Sequence, residues 1–232
     1  MWKFLHKLAS PPYFYVLAKK IIPWLSIFAL GLITYGTISG LFFTPPDYQQ
    51  GDAFRIIYVH VPAAYLSILA YMIMAISAGI GLIWRIKLSH AITASAAPLG
   101  AWFTFLALAT GSIWGKPMWG TWWEWGDPRL TSELIMLFLY FGYIALRSAI
   151  DDTMKADRAS AVLILVGVIN VPIIHFSVEW WSSLHQGPTL IRQDGPTIDP
   201  KKVEAFLNER VAFGSPSQQV LSNYMSLFAS AQ

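Results

Sequence analysis

The chain has no cysteine. That absence excludes disulfides, thiolate metal sites and thioether-linked cofactors on this chain. Charge is scarce as well: Asp, Glu, Lys and Arg make up 12% of the 232 residues, against roughly 25% in soluble domains. No Gly-x-x-x-x-Gly-Lys-Ser/Thr run occurs, so this chain does not bind ATP through a P-loop. No Ser/His/Asp set or pair of carboxylates stands out, and there is neither an internal repeat nor a low-complexity tract. The net charge of +3 comes mostly from residues beside apolar blocks and is no sign of a nucleic-acid partner.

What the chain does have is apolar length. Hydrophobic residues reach 55%, and they come in blocks. Ile21–Thr44 and Ala91–Ile113 carry no charge, Ile56–Trp84 has His60 as its titratable group, Leu130–Leu146 has Glu133, and Ala159–Val178 has His175. A bilayer core about 30 Å thick needs about 20 apolar residues per helix. The expected fold is therefore an all-α integral membrane protein with a bundle of about five transmembrane helices. The first block starts too late and runs too long for a signal-peptide core of about 7–15 residues, so no cleavable leader is expected.

Lys and Arg set the orientation. Lys3, Lys7, Lys19 and Lys20 precede the first block, Arg85 and Lys87 fall in the second connection, and Arg147, Lys155 and Arg158 in the fourth. The other side has Arg55, Lys116 and Arg129. The N-terminus is thus expected in the cytoplasm, and the third connection on the outer face, the periplasmic one in a bacterium.

That third connection is the most informative stretch. Five of the eleven tryptophans lie between Trp114 and Trp125, among glycines and prolines that read as a loop following a helix that ends near Ile113. An interfacial Trp belt explains single residues such as Trp24, Trp84 and Trp102, but this density poorly. Aromatic faces beside backbone-exposing glycines suit a large planar ligand. Arg55 and Arg129, in the same zone, suit its anionic edge. Next to the aromatic segments lie His60 and His185, with His175 a turn inside the fifth block; His6 and His90 are expected on the cytoplasmic side. Imidazole is the usual nitrogen ligand of haem iron, and two of them complete a six-coordinate site.

Other features are local. Gly36 and Gly40 form a small-xxx-small face that permits close helix approach. Thr131-Ser132-Glu133 reads as the start of the fourth helix, with a hydroxyl cap and an acid in the first turn. Beyond Arg192 the composition turns polar. Val203, Phe206, Leu207 and Val211 repeat at helical spacing, so a short amphipathic helix fits there and a further span does not. The expected organisation is a transmembrane domain over 1–190, with the Trp loop at 114–129, and an atypical tail over 191–232.

Several stretches agree with a known family in order and spacing. Trp119-Gly-Thr-Trp122-Trp-Glu-Trp125 followed by Asp127 resembles the WWD signature of haem-handling proteins. Tyr48-Gln-Gln-Gly, Arg55-Ile-Ile-Tyr-Val-His60-Val-Pro-Ala-Ala, Thr110-Gly-Ser-Ile-Trp-Gly-Lys-Pro-Met-Trp and Glu179-Trp-Trp-Ser-Ser-Leu-His185-Gln-Gly are similar to the CcmC (haem exporter protein C) family of cytochrome c maturation proteins. The resemblance implies haem b, bound non-covalently and transiently, with His60 and His185 as axial ligands. It implies a haem-binding loop of Trp114, Trp119, Gly120, Trp122, Trp123, Trp125 and Asp127, and propionate contacts from Arg55 and Arg129. It also implies a bacterial inner-membrane subunit of an ABC-type complex that delivers haem to a periplasmic chaperone. The implied partners are a nucleotide-binding subunit, a second membrane subunit and a small single-span subunit, and the chain is expected to be a transfer component, not an enzyme. Two departures stand out: Gly126 separates Trp125 from Asp127, and the family's usual sixth helix has no counterpart in the polar tail. The alternative, a membrane b-type cytochrome or quinone-reactive subunit, calls for histidines deep in facing helices. A permease calls for polar residues at mid-membrane, where Asn170 is the main candidate.

Overall fold

The computed structural model describes residues 10–47, 50–181, 183 and 185. The tail at 191–232, with its expected amphipathic segment, lies outside these residues, as does His6. Among these residues six α-helices follow in order: α1 (Pro11–Ile38), α2 (Ile57–Trp84), α3 (Lys87–Trp119), α4 (Pro128–Ala149), α5 (Thr153–Gly167) and α6 (Asn170–Trp180). A π-helical turn, Ser39–Phe43, prolongs α1, and a 3-10 turn, Asp52–Ile56, leads into α2. No strand occurs among the described residues.

Among the described residues, five stretches are long and apolar enough to cross a membrane: Pro12–Phe43, Asp52–Trp84, Lys87–Trp119, Pro128–Ala149 and Thr153–Trp180. The shortest has 22 residues, which at about 1.5 Å per residue spans a hydrocarbon core. The expected all-α, five-span architecture is borne out. The fifth span is α5 and α6 in series. Pro172 has no N–H to offer the carbonyl of Val168, and the N–H of Val171 bonds there instead, at 3.0 Å, which tightens the chain at the junction.

The core lies among α2 to α6, and α2 and α3 share the largest interface. Tyr71, Met74, Met136, Tyr140 and Ile164 are fully buried. Tyr71 and Tyr140 meet edge to face at 5.3 Å. Each ring occupies space left by a glycine: a methyl on Gly100 would fall within the ring of Tyr140, and one on Gly167 would collide with the hydroxyl of Tyr71. Polar links cross between the helices. Tyr140 donates to Ser67 O (2.7 Å), Ser67 to Glu133 Oε1 (2.6 Å), and Asn170 Nδ2 to Ser132 O (2.8 Å). Inside a bilayer no water offers competing bonds, so buried polar groups must find partners in protein. Asn170 is therefore a strut between α6 and α4.

The first span behaves differently. Nothing in its hydrophobic window is buried; within the π-helical turn, Gly40 is. There the small-residue face is half used: a methyl at Gly40 would lie 2.6 Å from Tyr58, while Gly36 faces open space.

Two local expectations change. The third span does not stop at Ile113 but continues to Trp119. Pro117 sits in its last turn and leaves the Ile113 carbonyl without its usual i−4 N–H partner. Gly120, at φ 78°, then ends the helix in the left-handed region, its N–H bonding to Lys116 O at 3.1 Å. The fourth span starts at Pro128, ahead of Thr131-Ser132-Glu133. Its N-cap is Asp127, whose Oδ1 accepts from the N–H groups of Arg129 (2.9 Å) and Leu130 (3.0 Å). The Thr131 hydroxyl instead donates back to Asp127 O at 3.0 Å.

Candidate functional site

The last turns of α3 are in ring contact with two histidines. His60, the fourth residue of α2, meets Trp114 edge-on with ring centres 5.7 Å apart. His185, beyond α6, lies tilted against Trp119 at 5.8 Å. Trp114 and Trp119 belong to one helix end, so each imidazole has an indole of the same helix end as its neighbour. His60 is within electrostatic range of both His185 and the Arg129 guanidinium.

The protonation pattern of His60 follows from its neighbours. Nδ1 lies 3.0 Å from the carbonyl of Ala107 and 3.1 Å from Thr110 Oγ1. A carbonyl only accepts, and Thr110 already donates to Leu106 O at 2.6 Å. Nδ1 therefore carries the proton, and Nε2 is the nitrogen left for a metal. Ala107, Thr110 and Gly111 are one face of α3, and Gly111 is what admits the ring: a methyl there would lie 2.9 Å from His60 Cε1.

His185 is held by other chemistry. Ser183 Oγ donates to Asp127 Oδ2 at 2.7 Å and accepts from the backbone N–H of His185 at 3.2 Å. His185 Nδ1 lies 3.3 Å from Ser183 Oγ and 3.6 Å from Asp127 Oδ2. With Ser183 committed as donor to the carboxylate, Nδ1 is again the protonated nitrogen. The Asp127 side chain is 1% exposed, and it splits its work: one oxygen caps α4, the other faces the histidine.

The loop between α3 and α4 is shorter than 114–127 suggested, running from Gly120 to the cap. Thr121 Oγ1 donates to Trp123 O at 2.8 Å and pins its course. Trp119, Trp122 and Trp125 are exposed, at 38%, 57% and 72%, so they form a surface and not a core. Trp123 turns inward against the core, in edge contact with Trp125 at 5.5 Å. Among the described residues its Nε1 is buried without a hydrogen-bond partner. Trp114 Nε1 donates to Gln50 Oε1 at 3.0 Å, which ties the end of α3 to the first interhelical loop.

The two arginines differ. Arg129, in the first turn of α4, is half-buried between the charges of Glu133 and Asp127. Arg55 is turned toward the first loop, with Nε 2.9 Å from Asp52 Oδ1 and Nη1 donating to Leu41 O at 2.7 Å. His90 packs against Gly81 where α2 and α3 are joined, away from the tryptophans, and His175 is exposed on α6 beside Phe176. Neither His90 nor His175 joins the set around Trp114 and Trp119.

Among the described residues no three His, Cys, Asp or Glu converge as a metal cage. The available donor set is two imidazoles, each with Nδ1 held by protein, beside exposed indoles and a guanidinium. That set fits a flat iron macrocycle with acidic substituents.

Sequence reading missed Thr110, the Ala107 carbonyl and Ser183 as supports of the histidines. Ser183, two residues before His185, had a local signal. Thr110 stood in a family-similar stretch, but nothing tied it or Ala107 to His60, which they reach from 50 and 47 residues away.

Comparison with known proteins agrees with this chemistry. The family model "CcmC: Heme exporter protein C" matches residues 4–227. "Heme exporter protein C" of Escherichia coli K12 is 56% identical over 200 residues, covering 86% of this chain and 80% of that one. The protein of the same name from Haemophilus influenzae is 50% identical over 198 residues, covering 85% and 80%, and that of Bradyrhizobium diazoefficiens 46% over 206 residues, covering 89% and 78%. The chain belongs to the heme exporter protein C family.

Proposed function

We propose that this chain presents haem at the outer face of a bacterial inner membrane for delivery to a haem chaperone during c-type cytochrome maturation. The observation that carries the reading is the pair His60 and His185, each in ring contact with a tryptophan of the Trp114–Trp119 helix end and each with Nδ1 engaged by protein. In this reading the cargo is haem b, held without a covalent link by the Nε2 atoms of His60 and His185. Arg129 and Arg55 take the propionates, and Arg55 exchanges its Asp52 partner to do so. Trp119, Trp122 and Trp125 offer the aromatic face and remain open to the chaperone.

The orientation follows from the basic residues: N-terminus in the cytoplasm, Trp loop in the periplasm. With no P-loop on the chain, ATP hydrolysis falls to a nucleotide-binding partner. The second membrane subunit and the small single-span subunit complete the assembly, and α1, whose hydrophobic window is unburied within the chain, is free to contact lipid or such subunits. The chain acts as a transport component: it binds, orients and releases. The b-type cytochrome alternative finds no support in the family match.

The test uses detergent-purified protein and a pyridine haemochrome assay with the chaperone co-expressed. Wild type is expected to carry haem and load the chaperone. His60→Ala and His185→Ala should insert in the membrane but fail in transfer; normal loading by either variant refutes the ligand assignment.

A further inference from the structure

We propose that the two histidines are unequal ligands: Asp127 and Ser183 make His185 the ligand that retains the iron, and His60 the one that lets go first. This rests on the axial-ligand reading above.

The asymmetry is in what stands behind each ring. His60 Nδ1–H faces neutral acceptors, the Ala107 carbonyl and the Thr110 hydroxyl. His185 Nδ1–H faces Ser183 Oγ, whose own proton goes to the buried Asp127 carboxylate, and the carboxylate itself lies 3.6 Å from the ring. A carboxylate behind a metal-bound imidazole pulls on the Nδ1 proton and raises the basicity of Nε2, directly or through a hydroxyl. Neutral acceptors do this less. Burial removes solvent screening of the Asp127 charge, which Arg129 two residues on offsets in part.

Backbone placement also separates the two histidines. His60 is fixed within α2 and packed on Gly111 of α3, so it stays behind when cargo leaves. His185 lies outside any helix and is attached to the bundle through Ser183, Asp127 and Trp119. Asp127 also caps α4 at the end of the Trp loop. The support of His185 therefore holds for as long as the cap of α4 holds, and His60, with only neutral acceptors behind it, yields first. Asp127 and Ser183 are positioning residues in this scheme, since neither touches the iron.

The experiment uses full-length, detergent-purified protein loaded with haemin. Asp127→Asn is the informative variant: asparagine caps a helix about as well as aspartate, so the cap survives and the charge does not. Ser183→Ala removes the hydroxyl relay and leaves the cap untouched. Both should keep a six-coordinate absorption spectrum, raise the midpoint potential, and lose haem to apomyoglobin about tenfold faster. In parallel, His60→Gly should retain five-coordinate haem on His185, and His185→Gly should retain much less. Unchanged potential and transfer rate in both Asp127→Asn and Ser183→Ala overturns the proposal, as does equal haem loss in the two glycine variants. A wild-type spectrum in both glycine variants overturns the ligand reading itself, which separates the two failures.

Discussion

Gly111→Ala tests the site through a residue that has no chemistry of its own. The new methyl would lie 2.9 Å from His60 Cε1, where carbon atoms prefer about 3.5–4.0 Å. The ring must retreat from α3 by roughly 0.6–1.1 Å. Ala107 O and Thr110 Oγ1 lie on that same face of α3, at 3.0 and 3.1 Å from Nδ1, so the retreat stretches both bonds past hydrogen-bonding distance. Two such bonds contribute about 2 kcal/mol together. Alanine in a helix interior returns about 1 kcal/mol relative to glycine. Fold stability should therefore shift by only about 1 kcal/mol, while the haem-competent orientation of His60 becomes less favourable by about 2 kcal/mol, or about 30-fold in affinity. Haemin titration followed at the Soret band, beside a thermal melt in the same detergent, separates the two effects. Wild-type haem affinity and spectrum in Gly111→Ala would refute the claim that this close contact sets the histidine.

Gly100→Ala carries the same kind of clash into the core, onto the fully buried Tyr140 ring. It should destabilise the bundle by about 1–3 kcal/mol, read as a lowered melting temperature; an unchanged melt argues against the packing. Glu133→Leu removes the acceptor of the Ser67 hydroxyl between α2 and α4 and should lower stability by about 1 kcal/mol, whereas Glu133→Gln, which keeps an acceptor, should lie closer to wild type. Equal melts for the two variants would show that the bond contributes nothing. At the other end of α4, Arg147 and Asp157 pair at 3.0 Å with the arginine 34% exposed; Arg147→Ala should change stability by no more than about 1 kcal/mol, and a larger loss would mean that the pair belongs to a tighter network.

Much of this was legible along the chain. Apolar blocks as long as a bilayer is thick announce spans without knowledge of their neighbours, and the five spans follow from composition and length alone. The crowding of Trp114 to Trp125 and the presence of His60 and His185 beside aromatic segments pointed to the candidate site proposed here. Reading 114–119 as loop failed because Gly115 and Pro117 count against a helix on average, while the helix that began at Lys87 runs on through both until Gly120 supplies the terminator. Placing the α4 start at Thr131 failed because Asp127 looked like part of a signature when it was also a cap.

The sequence by itself determined the solvent of this protein, the number of its described spans and the residue types available for a flat iron ligand, because each is a property of local composition. The tertiary structure alone decided which nitrogen of each histidine is free, which of the two has a carboxylate behind it, and which glycine makes room for a ring. Those depend on partners 47, 50 and 56 residues away, and contact at that separation exists only once the helices have packed.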